Sequence, residues 1–157
     1  MKIGLLSDSH DNLPNIEKAV KFFNREKVDF VLHAGDFVAP FTIGKLGKLK
    51  CGWKGVFGNN DGEKAGLMNL SKWRIQQGPL RMTLNKKNIT LIHALNEIDP
   101  DKERSDLIVY GHTHRPEILQ KSDKLMVNPG EASGWLYGSP TVAIVDLDTL
   151  KAKIFKI

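Results

Sequence analysis

Cysteine is nearly absent: Cys51 is the only one in 157 residues. This excludes an internal disulfide framework and fits a reducing compartment. No histidine or acid lies near Cys51 in sequence, so it reads as a packing residue rather than a nucleophile. Long apolar runs are absent as well. The first, Ile3-Gly4-Leu5-Leu6, is too short for a secretory h-region and leads straight into Ser7-Asp8. No stretch approaches the roughly 20 apolar residues of a membrane span, so the expectation is a soluble, cytoplasmic protein with no membrane partner. Internal repeats, low-complexity tracts and linkers are also missing. What remains is an ordinary globular composition, 41% hydrophobic and 26% charged, in a chain expected to form one domain over residues 1–157.

A formal charge of +5 invites a nucleic-acid reading. The lysines, however, are scattered singly between apolar residues. The densest group, Lys45, Lys48 and Lys50 with Lys54 beyond, is modest. An anionic substrate is the expected partner, and nucleic acid is a less favoured one.

Lys2 to Asp8 reads as a buried strand, and Asn12-Leu13-Pro14 as a helix start. Ile16, Ala19, Val20 and Phe23 follow at helical spacing, so one face packs on the sheet. Asp29 to Ala34 and Trp53 to Phe57 read as further strands, with a weaker helix between them through Phe41, Ile43, Leu46 and Leu49. That order predicts parallel crossovers. The second half predicts hairpins instead: 80–84 with 89–93 around Asn85-Lys86-Lys87-Asn88, 117–120 with 124–127 around Lys121-Ser122-Asp123, and 141–147 with 151–157. Asp99 to Arg104 reads as a short helix before a strand at Leu107 to Tyr110. Together these predict two packed mixed sheets with helices outside.

The histidines carry the chemistry. Asp8-Ser9-His10 ends the first strand, Gly35-Asp36 the second, and Gly58-Asn59-Asn60-Asp61 the third. His93 ends a later strand, and Gly111-His112-Thr113-His114 another. Each piece alone has a plainer reading: a cap, a turn pair, a tight turn tolerant of left-handed backbone, a satisfied core histidine. All five in this order, each at a strand's carboxyl end, form the ligand inventory of a two-metal hydrolytic centre. That edge is where open α/β sheets place ligands. Ions such as Mn²⁺ take carboxylate oxygen and imidazole nitrogen together. A pair of ions about 3.5–4 Å apart needs a bridging carboxylate, and Asp36 on the central strand is the natural one. Asp8 and His10, two apart, are expected to point to one side of an extended segment, as are His112 and His114.

The pattern Asp-x-His, Gly-Asp, Gly-Asn-x-Asp, His, Gly-His-x-His resembles the calcineurin-like metallophosphoesterases. With Asn128-Pro129-Gly130 and the short length, it resembles their small YfcE-like phosphodiesterase branch. The resemblance covers essentially the whole chain and implies a four-layer α/β/β/α sandwich with the site at the edge between the sheets. It implies that Asp8, His10, Asp36 and His114 bind one metal, and that Asp36, Asn59, His93 and His112 bind the other. The implied activity is phosphodiester hydrolysis by a hydroxide bridging two divalent ions. Mn²⁺ is expected first, with Ni²⁺, Fe²⁺, Zn²⁺ and Mg²⁺ as alternatives. Asp61 is expected to orient the His10 or His112 region.

Two positions depart from the family pattern. Many members have histidine where this chain has Asn60, which can position phosphate but has no titratable proton for a leaving group. Relatives commonly read His-Gly-His where this chain has His93-Ala94-Leu95, and the link to Gly111 is short. His33 is expected to be structural. Arg115 is expected in a rim salt bridge, with phosphate contact as the alternative. Trp135 and Tyr137 form either a substrate edge or a homodimer contact. Phosphomonoesterase, nuclease and a protein-binding scaffold like the retromer subunit are the competing functions; the seven intact ligand positions argue against the last.

Overall fold

The computed structural model describes residues 1–121 and 123–157. Its elements are β1 (Lys2–Leu6), α1 (Leu13–Glu26), β2 (Phe30–His33), α2 (Phe41–Leu46), β3 (Gly52–Val56), α3 (Lys64–Leu70), β4 (Ile75–Gln76), β5 (Leu80–Leu84) and β6 (Lys87–Leu91). A 3₁₀ turn (Leu95–Glu97), β7 (Leu107–Val109), β8 (Glu117–Gln120), β9 (Leu125–Asn128), β10 (Thr141–Asp146) and β11 (Lys151–Lys156) follow.

Local chemistry sets several of these boundaries. The Asn12 side chain accepts from the Asn15 amide at 3.3 Å, capping α1, and Pro14 fits the first turn. Lys27 ends the helix in the left-handed region. The four-residue loop expected between β5 and β6 contracts to two residues. Asn85 and Lys86 take φ of 48° and 62°, the signature of a tight hairpin turn, and Lys87 and Asn88 join the strand.

The strands form two mixed sheets, ordered β11-β10-β1-β2-β3-β4 and β5-β6-β7-β9-β8. β1, β2 and β3 are parallel neighbours, and so are β6, β7 and β9. The hairpins β5–β6, β8–β9 and β10–β11 pair antiparallel as expected. Ser122, in the β8–β9 connection, lies outside the described residues. Period-two alternation divides the core. Ile3, Leu5, Leu32 and Val56 face Ile89, Leu91, Leu107 and Val127 between the sheets. Leu6, Val31 and Trp53 face Ile16, Val20, Phe23 and Leu46 on the helices. On the outer face of the second sheet, among the described residues, the apolar cover over Ile92, Ile108, Tyr110 and Met126 comes from Leu95 and Ile98 around the 3₁₀ turn. The fourth layer is therefore thin.

The helix expected at Asp99 to Arg104 is a turn instead. Lys102 and Glu103 both donate to the Asp99 carbonyl, but the ammonium of buried Lys124 donates to the carbonyls of Pro100 and Glu103. A further helical turn would need the Pro100 carbonyl. α3 and β4, in residues 62–79, were not anticipated from the sequence. No helix among the described residues is long and apolar enough to cross a membrane.

Candidate metal centre

All seven expected ligands meet just beyond the carboxyl ends of β1, β2, β3, β6 and β7. They do so through turns, not along extended strands. Asp8, His10, Asp36, His112 and His114 all have positive φ, between 40° and 69°. Asp8 and His10 therefore do not share a side of an extended segment, and neither do His112 and His114. Left-handed backbone at non-glycine residues costs energy and persists only where surrounding bonds over-determine it. Those bonds are present. The amides of Asp8 and His10 donate to the carbonyls of Gly35 and Asp36, each at 3.0 Å, and the Asp8 carbonyl accepts from Ser133.

Asp8, His10, Asp36 and His114 each offer one atom, and these four atoms lie within 4.8 Å of one another. His10 Nε2 is 3.4 Å from His114 Nε2 and 3.5 Å from Asp36 Oδ2. His114 Nε2 is 3.5 Å from Asp8 Oδ1. Behind His114, Nδ1 is 2.9 Å from a carboxylate oxygen of buried Glu131. A carboxylate only accepts, so Nδ1 carries the proton and Nε2 presents its lone pair to the cluster. Asp8 Oδ1 is fully buried and has no hydrogen-bond partner among the described residues. A buried, unpartnered carboxylate oxygen facing imidazole lone pairs is costly unless a positive charge sits there. Burial pushes the Asp8 carboxyl above its ordinary range, opposed by the Ser7 hydroxyl and by His114 and His93. The donor set fits a divalent cation with mixed oxygen and nitrogen preference.

Asn59, His93 and His112 adjoin this cluster. Asn59 Oδ1 is 2.8 Å from His93 Nε2 and 2.9 Å from His112 Nδ1, and His93 Nε2 is 3.6 Å from Asp36 Oδ1. His93 Nδ1 lies 2.8 Å from the Ala34 carbonyl, so it donates there and Nε2 faces the cluster. Asp36 thus lies between the two groups. Asn60 holds it, the amide donating to Oδ1 at 2.8 Å and the side-chain nitrogen to Oδ2 at 2.7 Å. Glycine is required at this close approach: a Cβ on Gly58 would lie 2.1 Å from Asp36 Oδ1, and one on Gly111 would lie 2.8 Å from Asp8 Oδ2.

Several expectations need correction. Asp61 orients no histidine: it accepts from the amides of Val38 and Gly58 at 2.6 and 2.7 Å and so ties the loops after β2 and β3 together. Arg115 forms no rim salt bridge among the described residues; its Nε donates to the Tyr137 hydroxyl at 2.9 Å. The orienting acid is Glu131, which the sequence reading missed. It lies directly after Asn128-Pro129-Gly130, where nothing in the sequence marks it as buried. His33 is structural, as expected. Gly35 N–H donates to its Nδ1 at 3.2 Å, its Nε2 lies 2.9 Å from Ser9 Oγ, and the ring stacks on Phe37. Burial, then His93 and His10, holds its pKa well below 6.5. Cys51 is half-buried against the helix-side core, as a packing residue.

Comparison with known proteins agrees with the geometry. Phosphodiesterase MJ0936 of Methanocaldococcus jannaschii is 36% identical over 156 residues, spanning 94% of each chain. Phosphodiesterase YfcE of Escherichia coli is 27% identical over 167 residues, covering 96% of this chain and 90% of its own. A solved structure described as a novel archaeal phosphodiesterase superposes with a TM-score of 0.93 at 34% identity, covering all of both chains. The description of the calcineurin-like phosphoesterase superfamily domain matches residues 1–150. With that match, and with the ligand cluster assembled where the two sheets meet, this chain belongs to the calcineurin-like phosphoesterase superfamily, in its small YfcE-like branch.

Proposed function

We propose that the protein is a metal-dependent phosphodiesterase that holds two divalent ions, Mn²⁺ foremost. Asp8, His10, Asp36 and His114 hold one ion; Asp36, Asn59, His93 and His112 hold the other. The observation that carries this reading is the buried Asp8 Oδ1, unpartnered among the described residues, facing the lone pair of His114 Nε2. Bound ions of this kind supply an acidified water and neutralise charge growing on the phosphoryl oxygens. The chain's own work is to orient and hold. Glu131 and the Ala34 carbonyl fix the protons of His114 and His93 on the outer nitrogens, which keeps the inner ones free. Asn60 steadies Asp36 and offers an amide to the phosphate, but it holds no proton for a departing alkoxide. Substrates whose leaving group departs as a stable anion suit such a centre.

The test is hydrolysis of bis-aryl against mono-aryl phosphate by protein stripped with chelator and then reloaded with Mn²⁺. Preferential turnover of the diester, restored by metal and lost in Asp36→Asn, is expected. Faster turnover of the monoester would make the protein a phosphomonoesterase. Bound metal with no turnover of either substrate would make it a scaffold.

A further inference from the structure

Residues 134–138 form a loop carrying three exposed apolar side chains, Trp135, Leu136 and Tyr137. Adjacent exposed groups of this size mark a contact surface. The loop is not slack. Buried Glu131 accepts from the amides of Leu136 at 3.0 Å and Tyr137 at 2.7 Å, and the same carboxylate holds His114. The Trp135 indole lies within 3.4 Å of the His10 carbonyl and donates to it. The loop is therefore registered to two members of the ligand cluster.

Against His114 a cavity of about 550 Å³ opens, with Pro116, Tyr137 and Ile154 as apolar walls and Arg115 and Lys156 also lining it. Arg115 turns to Tyr137, its guanidinium carbon 5.6 Å from the ring centre, and so holds the ring as a wall. Neither Arg115 nor Lys156 forms an ion pair with an acid among the described residues.

We propose that this cavity is the subsite for the leaving half of the substrate, and that it takes an aromatic ring bearing a negative charge. The proposal rests on reading the cluster as the hydrolytic centre. A cavity of this size suits a small-molecule group. A planar ring stacks on Tyr137 and on the Arg115 plane, and a carboxylate or second phosphate on that ring answers two cations left without acids. An alkyl group would fill the space but leave both cations unanswered. The chemistry agrees. Hydrolysis bonds a water oxygen to phosphorus and breaks the P–O bond to the leaving half, which departs with the electron pair as an aryl oxide. One water proton goes to solvent and the other stays on the new phosphate monoester or is also released. No acid is needed, consistent with Asn60 holding none.

Calorimetric binding tests this with monomethyl esters of ethylphosphonate, benzylphosphonate and 4-carboxybenzylphosphonate, whose P–C bonds resist hydrolysis, using Mn²⁺-loaded and metal-free protein. The benzyl compound is expected to bind about tenfold tighter than the ethyl one, and the carboxybenzyl compound tighter again. Tyr137→Ala should erase the first advantage and Lys156→Gln reduce the second. In heteronuclear spectra the Trp135 indole signal should shift on binding. Equal binding of ethyl and benzyl compounds, or a benzyl advantage that survives Tyr137→Ala, would overturn the subsite. Selective binding without hydrolysis of any diester would leave the subsite standing and sink the catalytic reading alone.

Discussion

Around Asp8, His10 and His114 the centre is walled by buried carboxylates, with Glu131 standing behind His114. Around Asn59, His93 and His112 it is walled by an amide and backed by a backbone carbonyl; among the described residues its carboxylate contacts are the share it has in Asp36 and the Asp8 oxygen that accepts from the His112 amide. The two halves differ in charge. Coulombic attraction in a partly desolvated site grows with the number of anions, so the acidic half should hold a divalent ion more tightly. The neutral half should exchange its ion more readily.

Asp8→Asn is the strongest way to break this contrast. It removes a carboxylate charge from the acidic half, while the asparagine oxygen can still accept from the His112 amide as Asp8 Oδ2 does at 3.1 Å. Titration with Mn²⁺ should show stoichiometry falling from two ions to one, with the lost site weakened by more than the roughly 100-fold that losing an outer partner costs. Two ions bound with unchanged affinity would show that the carboxylates are not what separates the halves. Glu131→Gln is gentler. It should weaken the acidic half about 10–100-fold, because His114 loses the acceptor that fixes its proton, and should leave the neutral half as it was. Equal weakening of both halves would mean that Glu131 acts through the whole loop rather than through His114.

The smallest effect concerns the His33 brace, which joins the loops after β1 and β2 through Ser9 and Gly35. A buried histidine held neutral takes no proton in the folded state, while the unfolded chain takes one below its ordinary pKa of 6.5. The folded pKa is depressed, so stability should fall as pH drops below that value, by at most about 1.4 kcal/mol per pH unit. Urea unfolding of wild type and His33→Gln across pH 7 to 5 checks this. A decline of the same slope in both would remove His33 from the account.

Much of the centre was legible because its residues are punctuation as well as candidate ligands. Glycine, asparagine and aspartate end apolar runs and tolerate left-handed backbone, so strand ends and ligand positions coincide in the sequence. The α1 face was legible from its spacing, since Ile16, Ala19, Val20 and Phe23 are all buried. Glu131 was not, because nothing local separates an acid in a glycine-rich loop from a solvated one; only burial beside His114 gives it a role. α3 and β4 escaped because a seven-residue helix and a two-residue strand carry too little periodicity to stand out. The turn at residues 99–104 was misread because the helix competes with Lys124, more than 20 residues away.

The sequence by itself determined the candidate ligand positions, the parallel first half, the hairpins of the second and the asparagine at position 60. These follow from residue type and short-range order. The tertiary structure alone decided that Asp36 stands between the halves, that five ligands reach the site through left-handed turns, and that one buried carboxylate holds both His114 and the aromatic loop. Those are outcomes of packing two sheets face to face, where proximity depends on register and burial that no local pattern encodes.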